Sequence, residues 1–153
     1  MCSRFLHDRG VEPPFDIDDE PNKADIDELE DLLNEFNFAT TGIRDGKELA
    51  IFERDSHGRM VAGLYGWTWG GTCEIDMLWL DESQRRGGKG SAMLQAAEDE
   101  ARRRGCEQVV LGSHGFQAPG FYLKQGYELV ATVQDYPRGS SDNWFRKSIS
   151  PSG

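Results

Sequence analysis

The sequence predicts an α/β fold: one domain on a mixed, twisted sheet with helices on both faces. Runs that alternate apolar and polar residues recur through residues 47–80 and again near the C-terminus, the period of half-buried strands. Between them, residues 91–104 repeat apolar positions at helical spacing. Strand, helix, strand across residues 72–112 implies a parallel pair joined by a right-handed crossover. A chain of 153 residues is long enough for one proper core. Residues 1–153 are therefore read as a single domain, with 1–21 its least defined segment and 150–153 a frayed tail.

Composition sets the outer bounds. The chain is 37% hydrophobic and 29% charged, within the globular range. Its formal net charge of −10 would repel nucleic acid and anionic membrane, so neither is expected as a partner. The same charge mildly favours a cationic substrate such as an amine, although solubility is the plainer account. Cys2, Cys73 and Cys106 are widely spaced, with no C-x-x-C or His/Cys cluster, so no disulfide framework and no metal site is expected. Residues 1–11 lack the apolar run of a leader, and no stretch is long and apolar enough to span a bilayer. A reduced, cytoplasmic protein is the expectation.

Pro13, Pro14 and Pro21 break any early helix. Phe15 and Ile17 alternate with aspartates, as in a short edge strand. Asn22 suits a helix cap, and Ile26, Leu29, Leu33 and Phe36 then give one apolar helical face. A loop over residues 42–46 leads to a strand over 47–55 and a turn at Ser56-His57-Gly58. Met60–Trp69 is the next strand, with Tyr65, Trp67 and Trp69 on one face, as sheet packing or as a pocket wall. Gly70-Gly71 makes a hairpin turn.

Thr72–Leu80 follows. Strict alternation puts Cys73, Ile75, Met77 and Trp79 on one face and Glu74, Asp76 and Leu78 on the other. Two carboxylates on one side of a central strand need a solvated cleft or a cationic partner, because an unpaired buried charge is costly.

The strand ends in a short loop containing Arg85, Arg86, Gly87, Gly88, Lys89 and Gly90, and a helix begins at once. No Ser, Thr, Asp or Asn precedes Gly88 to cap the free N–H groups, so this junction reads as an anion cradle. Two familiar phosphate loops fail on spacing. Lys89 is followed by Gly90 rather than Ser or Thr, and Met93 stands where a dinucleotide fingerprint needs its third glycine. The helix, residues 91–104, buries Met93, Leu94, Ala97 and Ala101, and Arg102-Arg103-Arg104 suits its C-terminal dipole. Residues 108–112 read as a strand inside a covered sheet. Pro119 starts a short helix carrying Tyr122 and Lys124, and Gly126 stops it. Residues 127–133 and 141–149 form two closing strands, with Trp144 and Phe145 on opposite faces. His114 is read as a loop histidine rather than a base.

Arg85-x-x-Gly88-x-Gly90, between a strand and a helix, resembles the pyrophosphate signature of the GNAT superfamily of acetyl-coenzyme A-dependent N-acetyltransferases. The runs AEDEARRRGCEQVVLGS, FQAPGFYLKQGYEL and DYPRGSSDNWFRKSI are similar to later family segments of a small prokaryotic subgroup, so the likeness covers about residues 48–149. The resemblance implies acetyl-CoA as co-substrate, a primary amine on a small molecule or peptide as acceptor, and direct transfer without a metal. It implies strands 72–80 and 108–112 splayed around the coenzyme. Leu78, Trp79, Leu80, Arg85, Arg86, Gly87, Gly88, Lys89, Gly90, Ser91 and Lys124 would contact the coenzyme.

Family members carry a base glutamate eleven residues before the loop signature, which lands on Glu74, with Asp76 sharing the role. Tyr122 would be the general acid and the Leu78 N–H an oxyanion donor. Gly115 stands where many members carry asparagine. The closing strands shape either the acceptor pocket or a homodimer contact. Two other readings stay open: a coenzyme-binding protein without transferase activity, and a transferase of a different acyl group.

Overall fold

The computed structural model describes residues 14–150. The expectations for Cys2, Pro13, the absent leader and residues 151–153 lie outside the described residues. The chain divides into two compact units, Met1–Thr41 and Gly42–Gly153.

In the first unit, α1 spans Lys23–Thr41. Asn22 caps it as expected: its Oδ1 accepts from the Asp25 N–H at 3.0 Å, and its Nδ2 donates back to the Asp25 carboxylate. Phe15 and Ile17 do not form the expected edge strand; these residues run as bends and irregular chain. Alternation over three residues is too short a signal to hold a strand without a partner.

The second unit holds a six-stranded sheet in the order β1-β2-β3-β4-β6-β5. The strands are β1 Lys47–Arg54, β2 Met60–Trp69, β3 Thr72–Leu80, β4 Gln108–His114, β5 Glu128–Gln134 and β6 Ser141–Ser148. Only β3 and β4 pair in parallel, joined by α2 (Lys89–Arg103), so the sheet is mixed, as predicted, and it is open. A short α3 covers Pro119–Lys124. Helix α2 buries the expected Met93, Leu94, Ala97 and Ala101 against Leu64, Cys73, Ile75, Val109, Leu111 and Phe145. Fully burying each of the larger ones, Leu, Ile, Val, Met or Phe, contributes roughly 1.5–3 kcal/mol, and each alanine about 0.8 kcal/mol. No helix among the described residues is long and apolar enough to cross a membrane.

Strand β3 departs from strict alternation. Tyr65 pairs with Met77 and Gly66 with Ile75, so Asp76 is a bulged residue with no partner on β2. The bulge resets the side-chain phase. Cys73 and Ile75 pack in the core, and beyond the bulge so do Leu78 and Leu80. Met77 and Trp79 are thereby turned outward and exposed. The expected single face of Cys73, Ile75, Met77 and Trp79 is thus corrected: it changes side at Asp76.

The arginine triplet is also more than a solvated helix end. Arg104 keeps 15% of its side-chain exposure, ion-pairs with Glu100, and donates to the Lys47 and Glu48 carbonyls and to Thr68 Oγ1. It ties the end of α2 to β1 and β2.

Beneath α2, Glu98 is almost wholly buried. Its Oε1 accepts from the Tyr127 hydroxyl at 3.0 Å, and both oxygens accept from Lys147 Nζ at 2.9 and 2.8 Å. Arg102 adds a longer contact at 3.4 Å. Removing one partner strands a buried charge. Lys147→Met should therefore cost about 3 kcal/mol in chemical denaturation, and adding Glu98→Leu should recover most of that loss. A single variant as stable as the parent would show that the pair is not needed.

Candidate active site

The parallel ladder of β3 and β4 pairs only Thr72–Ile75 with Gln108–Leu111. Beyond it the strands part, and the bulge at Asp76 lies at the point of parting. The gap opens into a cavity of about 1070 Å³. Every residue expected at the site lines this cavity except Gly87 and Lys124. The cavity also takes in residues that no local motif announced, among them Phe116, Phe121, Tyr136, Asp142 and Trp144.

The backbone of β3 is aimed by alternation. The Asp81 N–H donates to the Val61 carbonyl of β2 at 2.9 Å. Alternate residues therefore face β2, and Leu78 and Leu80 turn their N–H and C=O groups toward the gap. In keeping with this, the Leu80 carbonyl accepts from Arg85 Nε at 3.1 Å.

The loop keeps its polar backbone free of side-chain caps. Gly88 is the N-cap of α2 with φ +81° and makes no side-chain capping hydrogen bond. Arg86 is also left-handed, with φ +67°. A side chain at Gly87 or Gly88 would meet nothing within 4 Å, so the first turn of α2 is open to a bulky anion. Lys89 is turned to the Glu53 carboxylate of β1 rather than held over the loop.

Along β3 itself, Glu74 and Asp76 line the cavity. Among the described residues neither makes an ion pair, so the cross-strand salt bridge that could have explained them is not found. Burial pushes the Glu74 carboxyl above its ordinary range, and the nearby Asp76 charge adds to this. Tyr122, on α3, is buried against Phe121, Tyr127 and Phe145, and burial raises its phenol too, so it stays protonated at neutral pH. None of the hydrogen bonds among the described residues engages its hydroxyl.

Cys73 is adjacent to Glu74 but faces the core. It is fully buried, and its thiol is pushed up to about 12 by that burial. Gly115 has a packing reason. A Cβ there would lie 2.8 Å from Ser141 Oγ, while its own N–H donates to the Ser141 carbonyl at 2.8 Å.

Known proteins share this sequence pattern and this fold. The sequence matches the model of the acetyltransferase (GNAT) family over residues 12–127. The chain belongs to the GNAT acetyltransferase family. It is 36% identical over 104 residues to a blasticidin-S acetyltransferase of Streptomyces morookaense, which spans 65% of this chain and 74% of that relative. A crystal structure of an acetyltransferase from Bacillus cereus superposes with TM-score 0.72 at 29% identity, covering 88% of this chain and 98% of that one. An aminoglycoside 6'-N-acetyltransferase complexed with coenzyme A shares the fold, with TM-score 0.60 at 20% identity over 88% and 84% of the two chains. This GNAT chain is accordingly an acyltransferase.

Proposed function

We propose that the protein is an N-acetyltransferase that moves an acetyl group from acetyl-CoA directly to a primary amine of a small molecule. The observation that carries this reading is the parting of β3 from β4 beside an uncapped helix N-terminus. It makes a slot for a long thioester with a seat for its phosphates at one end. The GNAT neighbour with bound coenzyme A and the relative named for acetylating blasticidin S support the same reading.

In this scheme the N–H groups opening α2, with Arg85 and Arg86, hold the pyrophosphate. The Leu78 N–H holds the acyl carbonyl oxygen where negative charge develops. Glu74, with Asp76 beside it, accepts the proton of the acceptor ammonium, directly or through water. The amine then attacks the acyl carbon, the C–S bond breaks, and Tyr122 gives its proton to the departing thiolate; the new amide nitrogen sheds its extra proton to solvent, from which Tyr122 recovers its own. Glu74 is held back from ionising until higher pH, so it is a better base, and Tyr122 keeps its proton.

Calorimetric titration with acetyl-CoA tests the slot: one-to-one binding supports it, and no binding at high ligand concentration overturns it. Glu74→Gln tests the base. Thiol release with the amine that turns over, from a panel led by blasticidin S, should fall about 100-fold while coenzyme affinity holds. The base works only when deprotonated, so parent activity should fall as pH drops through a limb displaced upward from the usual carboxylate range. That limb should vanish in the variant, and an unchanged pH profile would remove Glu74 from the role.

A further inference from the structure

The cavity is bipolar. Arg85, Arg86 and Lys89 border one end, while the carboxylates on its wall are Glu74, Asp76 and Asp142. Glu74 and Asp76 are used by the reaction proposed above, but Asp142 is not. We propose that Asp142, with the aromatic rings around it, forms a subsite for a planar cationic group of the acceptor, of the guanidinium, amidinium or protonated heteroaromatic class. The proposal rests on the acetyltransferase reading, because the occupant is the acceptor.

Three separate chain segments build the subsite. Strand β6 supplies Asp142 and Trp144, β4 and its following turn supply His114 and Phe116, and the turn after β5 supplies Tyr136. The Asp142 side chain is only 14% exposed. Its Oδ2 accepts from Trp144 Nε1 at 3.2 Å, and its Oδ1 lies 3.6 Å from His114 Nδ1. That nitrogen is sealed from solvent yet makes no hydrogen bond. Apart from His114, no side chain able to carry positive charge pairs with Asp142 among the described residues. A largely buried carboxylate without a fixed cation gains most from a ligand that brings one.

The surroundings suit a flat ligand. The His114 ring lies nearly parallel to Phe116, at 13° and 5.4 Å between centroids, and Tyr136 meets it edge-on at 5.3 Å. Trp144 lies across the bare backbone of Gly112, where a Cβ would come within 3.7 Å of the indole and 3.8 Å of Asp142 Oδ1. Glycine at 112 thus keeps a side chain from packing against either the ring or that carboxylate oxygen. Phe116 and Tyr136 are exposed at 65% and 57%, a large apolar display for loop residues at a cavity mouth. Ring faces attract cations, and a carboxylate beside them adds charge and direction.

The test uses the full chain and benzamidinium as the probe, with neutral benzamide as its isostere. The indole N–H resonance of Trp144, assigned by its loss in Trp144→Phe, should shift saturably with benzamidinium. Benzamide should bind roughly tenfold more weakly, and Asp142→Asn should weaken benzamidinium roughly tenfold, since the asparagine oxygen still accepts from Trp144 but carries no charge. Coenzyme A affinity should not change in that variant. Tyr136→Leu, on an exposed turn, provides an independent loss of ring contact if the asparagine variant is unstable. Equal binding of both probes, no saturable shift, or indifference to Asp142→Asn and Tyr136→Leu would overturn the subsite. If coenzyme A binds but benzamidinium does not, only the subsite falls; if coenzyme A fails to bind, the acetyltransferase reading falls with it.

Discussion

Gly90→Asp should abolish detectable coenzyme A binding without weakening the fold. Gly90 is the second residue of α2, inside the free first turn. A Cβ there would lie 3.5 Å from Phe121 Cζ and 3.6 Å from Leu80 Cδ1, which is ordinary contact. The added carboxylate would stand where the pyrophosphate is expected, and like charges placed together cost several kcal/mol, or at least about 100-fold in affinity. The same carboxylate suits the positive end of the helix, by about 0.3–1 kcal/mol. Calorimetry and a thermal melt on one sample separate the two effects. Retained affinity would move the phosphates away from this turn, and a lowered melting temperature with lost affinity would make the variant uninformative about charge.

Gly66→Ala should damage both fold and activity. A Cβ at Gly66 would lie 2.0 Å from the Glu74 carbonyl oxygen and 3.0 Å from Ile75 Cα. Both are backbone atoms, so no side chain can swing aside to make room. The strands must separate where the bulge at Asp76 is formed. A cost of about 3 kcal/mol or more is expected, seen as a melting temperature lower by roughly 10 °C. Turnover should fall further than stability explains, because Glu74 and the start of the gap move with that backbone. A parent-like melting temperature would mean that β2 and β3 approach each other less closely than described.

The strands and helices from Lys47 onward were legible because each carries its own period. Alternation marked β2 and β3, helical spacing marked α2, and Pro119 and Gly126 bracketed α3. The phase of β3 was not legible. A bulge adds one residue through the pairing of two strands, and nothing in TCEIDMLWL alone says that Asp76 lacks a partner. Phe15 and Ile17 show the opposite failure, a local pattern with no neighbouring strand to complete it.

At the proposed site, the loop that lines one part of the cavity was readable because Arg85-x-x-Gly88-x-Gly90 is contiguous. The Asp142 cluster was not, since β4, the turn after β5 and β6 meet only in the folded sheet. The pairing of His114 with Asp142 is a cross-strand register, invisible without that topology. The place of Trp144, on the face opposite Phe145, was legible, but what it would lie across was not: Gly112 is thirty-two residues earlier in the chain.

The inward face of β3 has a chemical consequence of its own. A protein that handles thioesters is at risk from any rival thiolate close to its reaction centre, which could capture the acyl group by exchange. Cys73 is one residue from Glu74, yet the strand turns it to the opposite side, into a dry interior that keeps its sulfur protonated. Cys106 is buried and raised in the same way. In the proposed reaction neither of these two sulfurs can compete with the incoming amine for the acyl group. The alternation that presents Glu74, the proposed base, to the cavity therefore turns the neighbouring thiol away from it.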